Sequence, residues 1–154
     1  MNTETTAAIA ITPYLMFGGR CAEALEFYSS TLDAKIEMVM RFKDSPEPPP
    51  EGMLPPDFGE KIMHCSFSIR GATLMASDGC GEGEVFSGFS LSLSVTQGEA
   101  QTVFAALAEG GSVQMPLGET FWSPCFGMLT DRFGLKWMII VPEEACKGQV
   151  NPAV

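Results

Sequence analysis

Two stretches of this 154-residue chain follow the same order of a strand, a helix and three further strands. That repetition restricts the fold more than any other feature of the sequence. In the first stretch the apolar, β-prone run Ile11–Phe17 stops at Gly18-Gly19. Cys21, Ala24, Leu25, Tyr28 and Leu32 then recur at helical spacing, and Lys35–Phe42 alternates as a strand with Ile36, Met38 and Met40 on one side. Ile62–Ile69 and Ala72–Ser77 read as two more strands, joined tightly at Arg70-Gly71. In the second stretch Phe89–Val95 alternates strictly, and Gly98–Glu109 reads as a helix carrying Val103, Phe104 and Leu107 and stopped by Gly110-Gly111. Strands fit Ser112–Leu117, Phe121–Asp131 and Leu135–Val141.

An offset of 77 residues sets Phe27 on Phe104, Ala34 on Gly111, Ile36 on Val113, Met38 on Met115, and the strand around Pro13 on that around Ser90. Later the offset falls to 63, pairing Gly71 with Gly134, Leu74 with Trp137 and Met75 with Met138. The 14-residue difference fits an insertion in the first stretch, and Asp44–Glu60, a surface loop with six prolines, supplies it. The chain therefore reads as one α+β domain, 1–154, built from two βαβββ modules. Module one spans 11–78 with its proline-rich loop at 44–60, followed by a linker 79–87, module two 88–141 and a tail 142–154.

Composition narrows the partners. Nine basic against nineteen acidic residues give a net charge of −10, and no basic run offers a local exception, so nucleic acid and anionic membrane surfaces are disfavoured. No segment approaches the roughly 18 consecutive apolar residues of a membrane span, and the N-terminal MNTETTAAIA lacks the basic region of a signal peptide. A soluble, cytoplasmic protein is expected. A single histidine, His64, rules out any site built on two or three histidines. The five cysteines, Cys21, Cys65, Cys80, Cys125 and Cys146, are odd in number and form no Cys-x-x-Cys pair, which points to reduced thiols, with Cys65 and Cys125 as core fillers. Asp78 and Asp131, near strand ends, read as turn-forming carboxylates that accept backbone amides.

The paired modules, the helix ending Ala24-Leu25-Glu26-Phe27-Tyr28 and the closing Thr130-Asp131-Arg132-Phe133-Gly134 resemble the vicinal-oxygen-chelate superfamily of glyoxalase I, bleomycin- and fosfomycin-resistance proteins and extradiol dioxygenases. Pro13-Tyr14-Leu15, Met75-Ala76-Ser77-Asp78, Gly88-Phe89, Glu119-Thr120-Phe121-Trp122 and Phe126-Gly127 are similar to its PhnB-like, or demethylubiquinone-methyltransferase-like, branch. This resemblance implies the glyoxalase/bleomycin resistance/dioxygenase fold: a curved mixed sheet of eight strands, each module half-closing a cavity, in a homodimer. It also places the superfamily's metal ligands at Pro13, Met75, Ser90 and Met138, none of them a histidine or carboxylate. Thioethers suit soft copper rather than hard divalent ions, so no metal and no cofactor are expected. Methyl transfer is not expected either, because the one glycine-rich run, Gly79–Gly83, leads into a strand rather than a helix N-terminus.

Alternation along the strands assigns the faces. Met63, Cys65, Phe67 and Ile69 oppose His64, Ser66 and Ser68; Leu74 and Ala76 oppose Thr73, Met75 and Ser77. Phe89, Leu91, Leu93 and Val95 oppose Ser90, Ser92 and Ser94, and in the last strand Lys136, Met138 and Ile140 face inward. The apolar sets cover the helices, which leaves an uncharged polar face suited to a wet, half-enclosed pocket. The expected function is metal-independent binding or sequestration of a small molecule on that concave face by Ser66, Met75, Ser90, Trp122, Phe126 and Met138, with His64 as the candidate catalytic group. The alternative is a lyase, transferase or oxygenase-type enzyme that uses His64 or a noncanonical metal site.

Overall fold

Hydrogen bonding gathers the strands into two four-stranded mixed sheets, one for each repeat, in a computed structural model that describes residues 10–143. In the first unit β1 (Tyr14–Met16), α1 (Cys21–Leu32), β2 (Lys35–Arg41), β3 (Ile62–Ile69) and β4 (Ala72–Ser77) form a sheet of order β1-β4-β3-β2. In the second, β5 (Leu91–Ser94), α2 (Ala100–Ala108), β6 (Ser112–Gly118), β7 (Cys125–Thr130) and β8 (Lys136–Val141) repeat the order as β5-β8-β7-β6. The first strand of each unit runs parallel to the last and the other pairings are antiparallel. Among the described residues no helix is long and apolar enough to cross a membrane. The expected tail, 142–154, lies almost wholly outside the described residues.

The helical stripe of α1 is buried along its length, at Cys21, Ala24, Leu25, Tyr28 and Leu32. Tyr28 lies flat over Phe67 of β3, with ring centroids 6.3 Å apart and planes 8° from parallel, and Phe17 and Phe27 close around it. The helix stops at Asp33, whose left-handed φ of 54° lets the Ala34 amide donate back to the Tyr28 carbonyl at 3.2 Å. Asp78, just past β4 and 1% exposed, closes the unit. One carboxylate oxygen accepts the amides of Gly19 (2.9 Å) and Cys21 (2.7 Å), and the other accepts that of Ile62 (2.7 Å). The Cys21 bond satisfies an amide at the start of α1 that no helical carbonyl can reach, and the other two tie the preceding turn and the start of β3 to the same carboxylate.

The second unit ties itself differently. Asp131, 2% exposed, accepts the amides of Phe133 and Leu135 and the indole N–H of Trp137 at 2.9–3.1 Å. Two glycines allow close approach: a Cβ on Gly127 of β7 would stand 2.7 Å from the Phe104 ring of α2, and one on Gly111 would strike the Thr130 carbonyl.

Some sequence-based boundaries contract. β1 and β5 keep only three and four paired residues of the expected seven, since each is an edge strand bonded on one side. α2 starts at Ala100 rather than Gly98, because the Thr96 carbonyl accepts the amides of Glu99 and Ala100 and opens the first turn there. β7 starts at Cys125 rather than Phe121. Residues 120–123 form a turn in which the Ser123 amide donates to Thr120 Oγ1, and the Ser123 hydroxyl stands 2.8 Å from the Cys125 carbonyl and 2.7 Å from that of Val141.

The proline-rich segment projects from a built neck. Two 3-10 turns, Phe42–Asp44 and Phe58–Glu60, face each other across it. Phe58, 4% exposed, packs on Phe42 with centroids 5.5 Å apart. Lys43 Nζ donates to the Glu60 carboxylate at 2.7 Å, Arg41 donates to the Glu60 carbonyl, and the Phe42 amide donates to the Lys61 carbonyl. The Lys43 ammonium holds the Glu60 carboxyl below its ordinary range. The loop between is a tethered excursion rather than a free insertion.

Two substitutions test these anchors. Asp78→Asn replaces an acceptor-only carboxylate with a group whose NH2 must face at least one of three buried amides. It should cost about 3 kcal/mol in urea denaturation, against no measurable change for the exposed Glu51→Gln. Phe58→Ala should lower stability by about 3 kcal/mol and speed proteolytic cleavage within 45–57 by at least the matching factor; unchanged cleavage would mean the loop is held from elsewhere.

Candidate functional site

The face of the first sheet turned away from α1 carries a row read directly from the strand register. Tyr14 opposes Met75, Met75 opposes Ser66, and Ser66 opposes Met38, so a phenol, a thioether, a hydroxyl and a second thioether lie side by side. Beside this row Met16 opposes Ser77, and Met40 opposes His64. His64 is half-buried, with Nδ1 3.2 Å from Tyr14 Oη and its ring stacked on that of Tyr14 at a centroid distance of 5.6 Å. The phenol donates to the imidazole when Nδ1 is unprotonated, so the histidine fixes the tyrosine ring from two directions.

Two bulges rearrange the face that strict alternation predicts. Pairing steps from Ile36↔Phe67 to Met38↔Ser66, which places Ile36 and Met38 on opposite faces rather than together. It steps again from Met40↔His64 to Arg41↔Ile62, leaving Met63 as the extra residue. Ile62 therefore enters the core at 1% exposure, whereas Met63, expected beside Cys65 and Phe67, turns half-exposed into a cavity.

That cavity has a volume of about 450 Å³. It is lined by Tyr14 and Met16 of β1, by Phe42 and Met63, by Glu47, the three consecutive prolines 48–50 and Met53 of the loop, and by Ser77, Gly79 and Cys80. Its walls are predominantly apolar. A second hollow, of about 390 Å³, lies within the other unit and is lined by Gly88, Phe89, Ser90, Met128, Lys136 and Met138. Phe89, expected against the helix, is instead 43% exposed at this hollow, because β5 begins two residues after it.

The sequence-derived candidates thus fall into three places. Ser66 and Met75 lie on the open face of the first sheet beside His64, which meets the larger cavity through Tyr14. Ser90 and Met138 line the smaller hollow. Trp122 and Phe126 belong to an aromatic stack: Phe121, 92% exposed, meets Trp122 edge-on at 4.6 Å, and Trp122 meets the buried Phe126 at 5.5 Å. Sequence reasoning missed Tyr14, Met16, Phe42, Met53 and Met63 as lining residues. The proline-rich insertion was the available signal for the loop side, whereas the bulge that turns Met63 outward leaves no mark in the hydropathy pattern.

Of the positions implied for metal ligands, Met75 pairs with Tyr14 and Met138 with Ser92 across their strands. Pro13 gives its carbonyl to the Met75 amide at 2.9 Å. A proline, two thioethers and a hydroxyl do not fit a hard divalent ion, and among the described residues no three His, Cys, Asp or Glu side chains are grouped to hold one. The thiols do not supply a substitute centre. Cys21 and Cys65 are fully buried with sulfurs 3.7 Å apart, and the hydrogen bond between them, followed by burial, pushes the Cys21 thiol above its ordinary range. Cys80 is exposed, and Cys125, expected in the core, is half-buried; Cys146 lies outside the described residues.

Comparison with known proteins agrees with this architecture. The chain is 38% identical to Protein YjdN of Escherichia coli (strain K12) over 143 residues, covering 87% of this chain and 96% of that one. It is 46% identical to the crystal structure of protein PA1353 from Pseudomonas aeruginosa, with a TM-score of 0.76 over 88% of this chain and 98% of the other. A Bacillus cereus structure described as a putative 3-demethylubiquinone-9 3-methyltransferase, PhnB protein, is 29% identical, with a TM-score of 0.71 over 86% and 99% of the two chains. At 16% identity and a TM-score of 0.58, a glyoxylase/bleomycin resistance protein/dioxygenase domain from Frankia sp. EAN1pec shares the fold alone, over 91% and 96% of the chains. The family model described as 3-demethylubiquinone-9 3-methyltransferase matches residues 9–140. Sequence, repeat and sheet order together make this chain a member of that PhnB-like family, with the glyoxalase/bleomycin resistance fold.

Proposed function

We propose that this protein binds or sequesters a small molecule without a hard divalent metal ion, and that it does so as a homodimer. The observation that carries this reading is the apolar cavity of about 450 Å³ between β1 and the proline-rich loop, which is in the size range of small-molecule sites. Ser66 and Met75 extend the contact surface across the same sheet face. In the second module Ser90 and Met138 serve a ligand at the smaller hollow, and Trp122 and Phe126 offer an aromatic platform. Methyl transfer, the activity in the family's description, is not part of this reading. Two mixed four-stranded sheets lack the doubly wound parallel sheet on which a glycine-rich turn would hold the methyl donor.

One contact favours a second reading. The Tyr14–His64 pair places an acid and a base within hydrogen-bond reach on an uncharged face, an arrangement that suits proton transfer to a bound substrate. Dimerisation is supported by the edge strands β2 and β6. Ile36, Met38, Val39, Val113 and Met115 on them are each more than 40% exposed, apolar surface that a second copy would cover.

Thermal-shift screening against aromatic and aliphatic small molecules tests binding. A true ligand at a hundredfold its Kd should stabilise by about 2.7 kcal/mol, or about 8 °C in Tm. Loss of the shift in Met63→Ala places the ligand in the first cavity and loss in Trp122→Ala places it on the aromatic platform, whereas no shift with any compound would overturn the reading. Sedimentation equilibrium should return twice the 16.6 kDa chain mass at micromolar concentration, and Val39→Glu should lower it; a single-chain mass for the wild type removes the dimer.

A further inference from the structure

We infer, resting on the ligand-binding reading of the first cavity, that its ligand is a planar aromatic cation. The lining contains no lysine, arginine or histidine; its carboxylate is that of the exposed Glu47. An anion entering this predominantly apolar space gives up part of its hydration and meets no opposite charge in the lining.

The basic residues flanking the loop are not part of the lining. Lys43 is paired with the Glu60 carboxylate at 2.7 Å, while Lys61 and Arg41 keep their charge but are directed to the Gly19 carbonyl, at 2.8 Å, and the Glu60 carbonyl. A cation finds the reverse. Glu47 supplies a carboxylate that no residue of the protein neutralises through an ion pair among the described residues. Tyr14 and Phe42 supply the negative faces of aromatic rings, and the thioethers of Met16, Met53 and Met63 supply polarisable surface that moulds to a flat ring. Tyr14 is held by His64 and Phe42 by Phe58, so both rings are in place before a ligand arrives. The net charge of −10 raises the local concentration of cations around the whole molecule.

Fluorescence titration of the full chain at 0.15 M salt with three probes of similar size tests this: the cationic phenanthridinium dye ethidium, the neutral parent phenanthridine, and the anionic dye anilinonaphthalene sulfonate. Ethidium should saturate one site per chain, the neutral parent should bind at least tenfold more weakly, and the sulfonate should not enter the cavity. Glu47→Gln should weaken ethidium severalfold and leave the neutral probe unchanged, whereas Glu51→Gln, an exposed loop carboxylate outside the lining, should change neither. Met63→Trp, which fills the cavity, should abolish binding. Sulfonate or neutral binding as tight as that of ethidium and lost in Met63→Trp, or an unaltered ethidium affinity in Glu47→Gln, overturns the cationic class while leaving the cavity a ligand site. Absence of saturable binding by all three probes, or ethidium binding that survives Met63→Trp, overturns the use of the cavity itself.

Discussion

The first unit depends on one buried carboxylate. Asp78 gathers the amides of Gly19, Cys21 and Ile62, which come from the turn after β1, the start of α1 and the start of β3. Three charge-assisted bonds in a site 1% exposed offset the loss of hydration of the carboxylate and leave no competing arrangement for those segments. The cavity inherits its geometry from this point. Met16 ends the strand that leads into the Gly19 turn, Met63 follows Ile62, and Ser77 and Gly79 flank Asp78 itself. A single anion site therefore sets the spacing of the lining residues contributed by β1, β3 and β4.

The second module reaches the same strand order with a different fastening. Its buried aspartate lies between β7 and β8 and binds the Trp137 indole, and its helix approaches the sheet closely because position 127 has no side chain. Repetition of the topology has not required repetition of the interactions that hold it. What recurs is the alternation of apolar positions and the parallel pairing of first and last strands, the two features that bury one sheet face against a helix. The polar fastenings are local solutions, and they are where the two modules have diverged.

This division explains what could be read in the sequence. The helical stripe of α1 was legible to the residue, as were β3 and β4, because long buried periodicities leave a strong signal. Edge strands were overextended, since their apolar residues continue past the last ladder hydrogen bond: Ile11 and Phe89 look like strand residues and are not paired. The bulges at Glu37 and Met63 were invisible, because an extra residue changes the face of its neighbours without changing their hydropathy. That one step accounts for the face on which Met63 lies.

The row Tyr14, Met75, Ser66 and Met38 across the first sheet is uncharged throughout and offers no hard donor set for a divalent ion. The first module also carries an insertion that the second lacks. Prolines 48–50 and Met53 bring apolar surface to the edge of the sheet, the Phe42–Phe58 contact and the Lys43–Glu60 pair fix the neck of that loop, and the open cavity between loop and sheet reaches Tyr14 and Met16 of β1. The tethered loop thus sets apolar surface, with one carboxylate at Glu47, against an uncharged sheet face, so dispersion and loss of hydration rather than an oxygen-rich donor set characterise that side of the first unit.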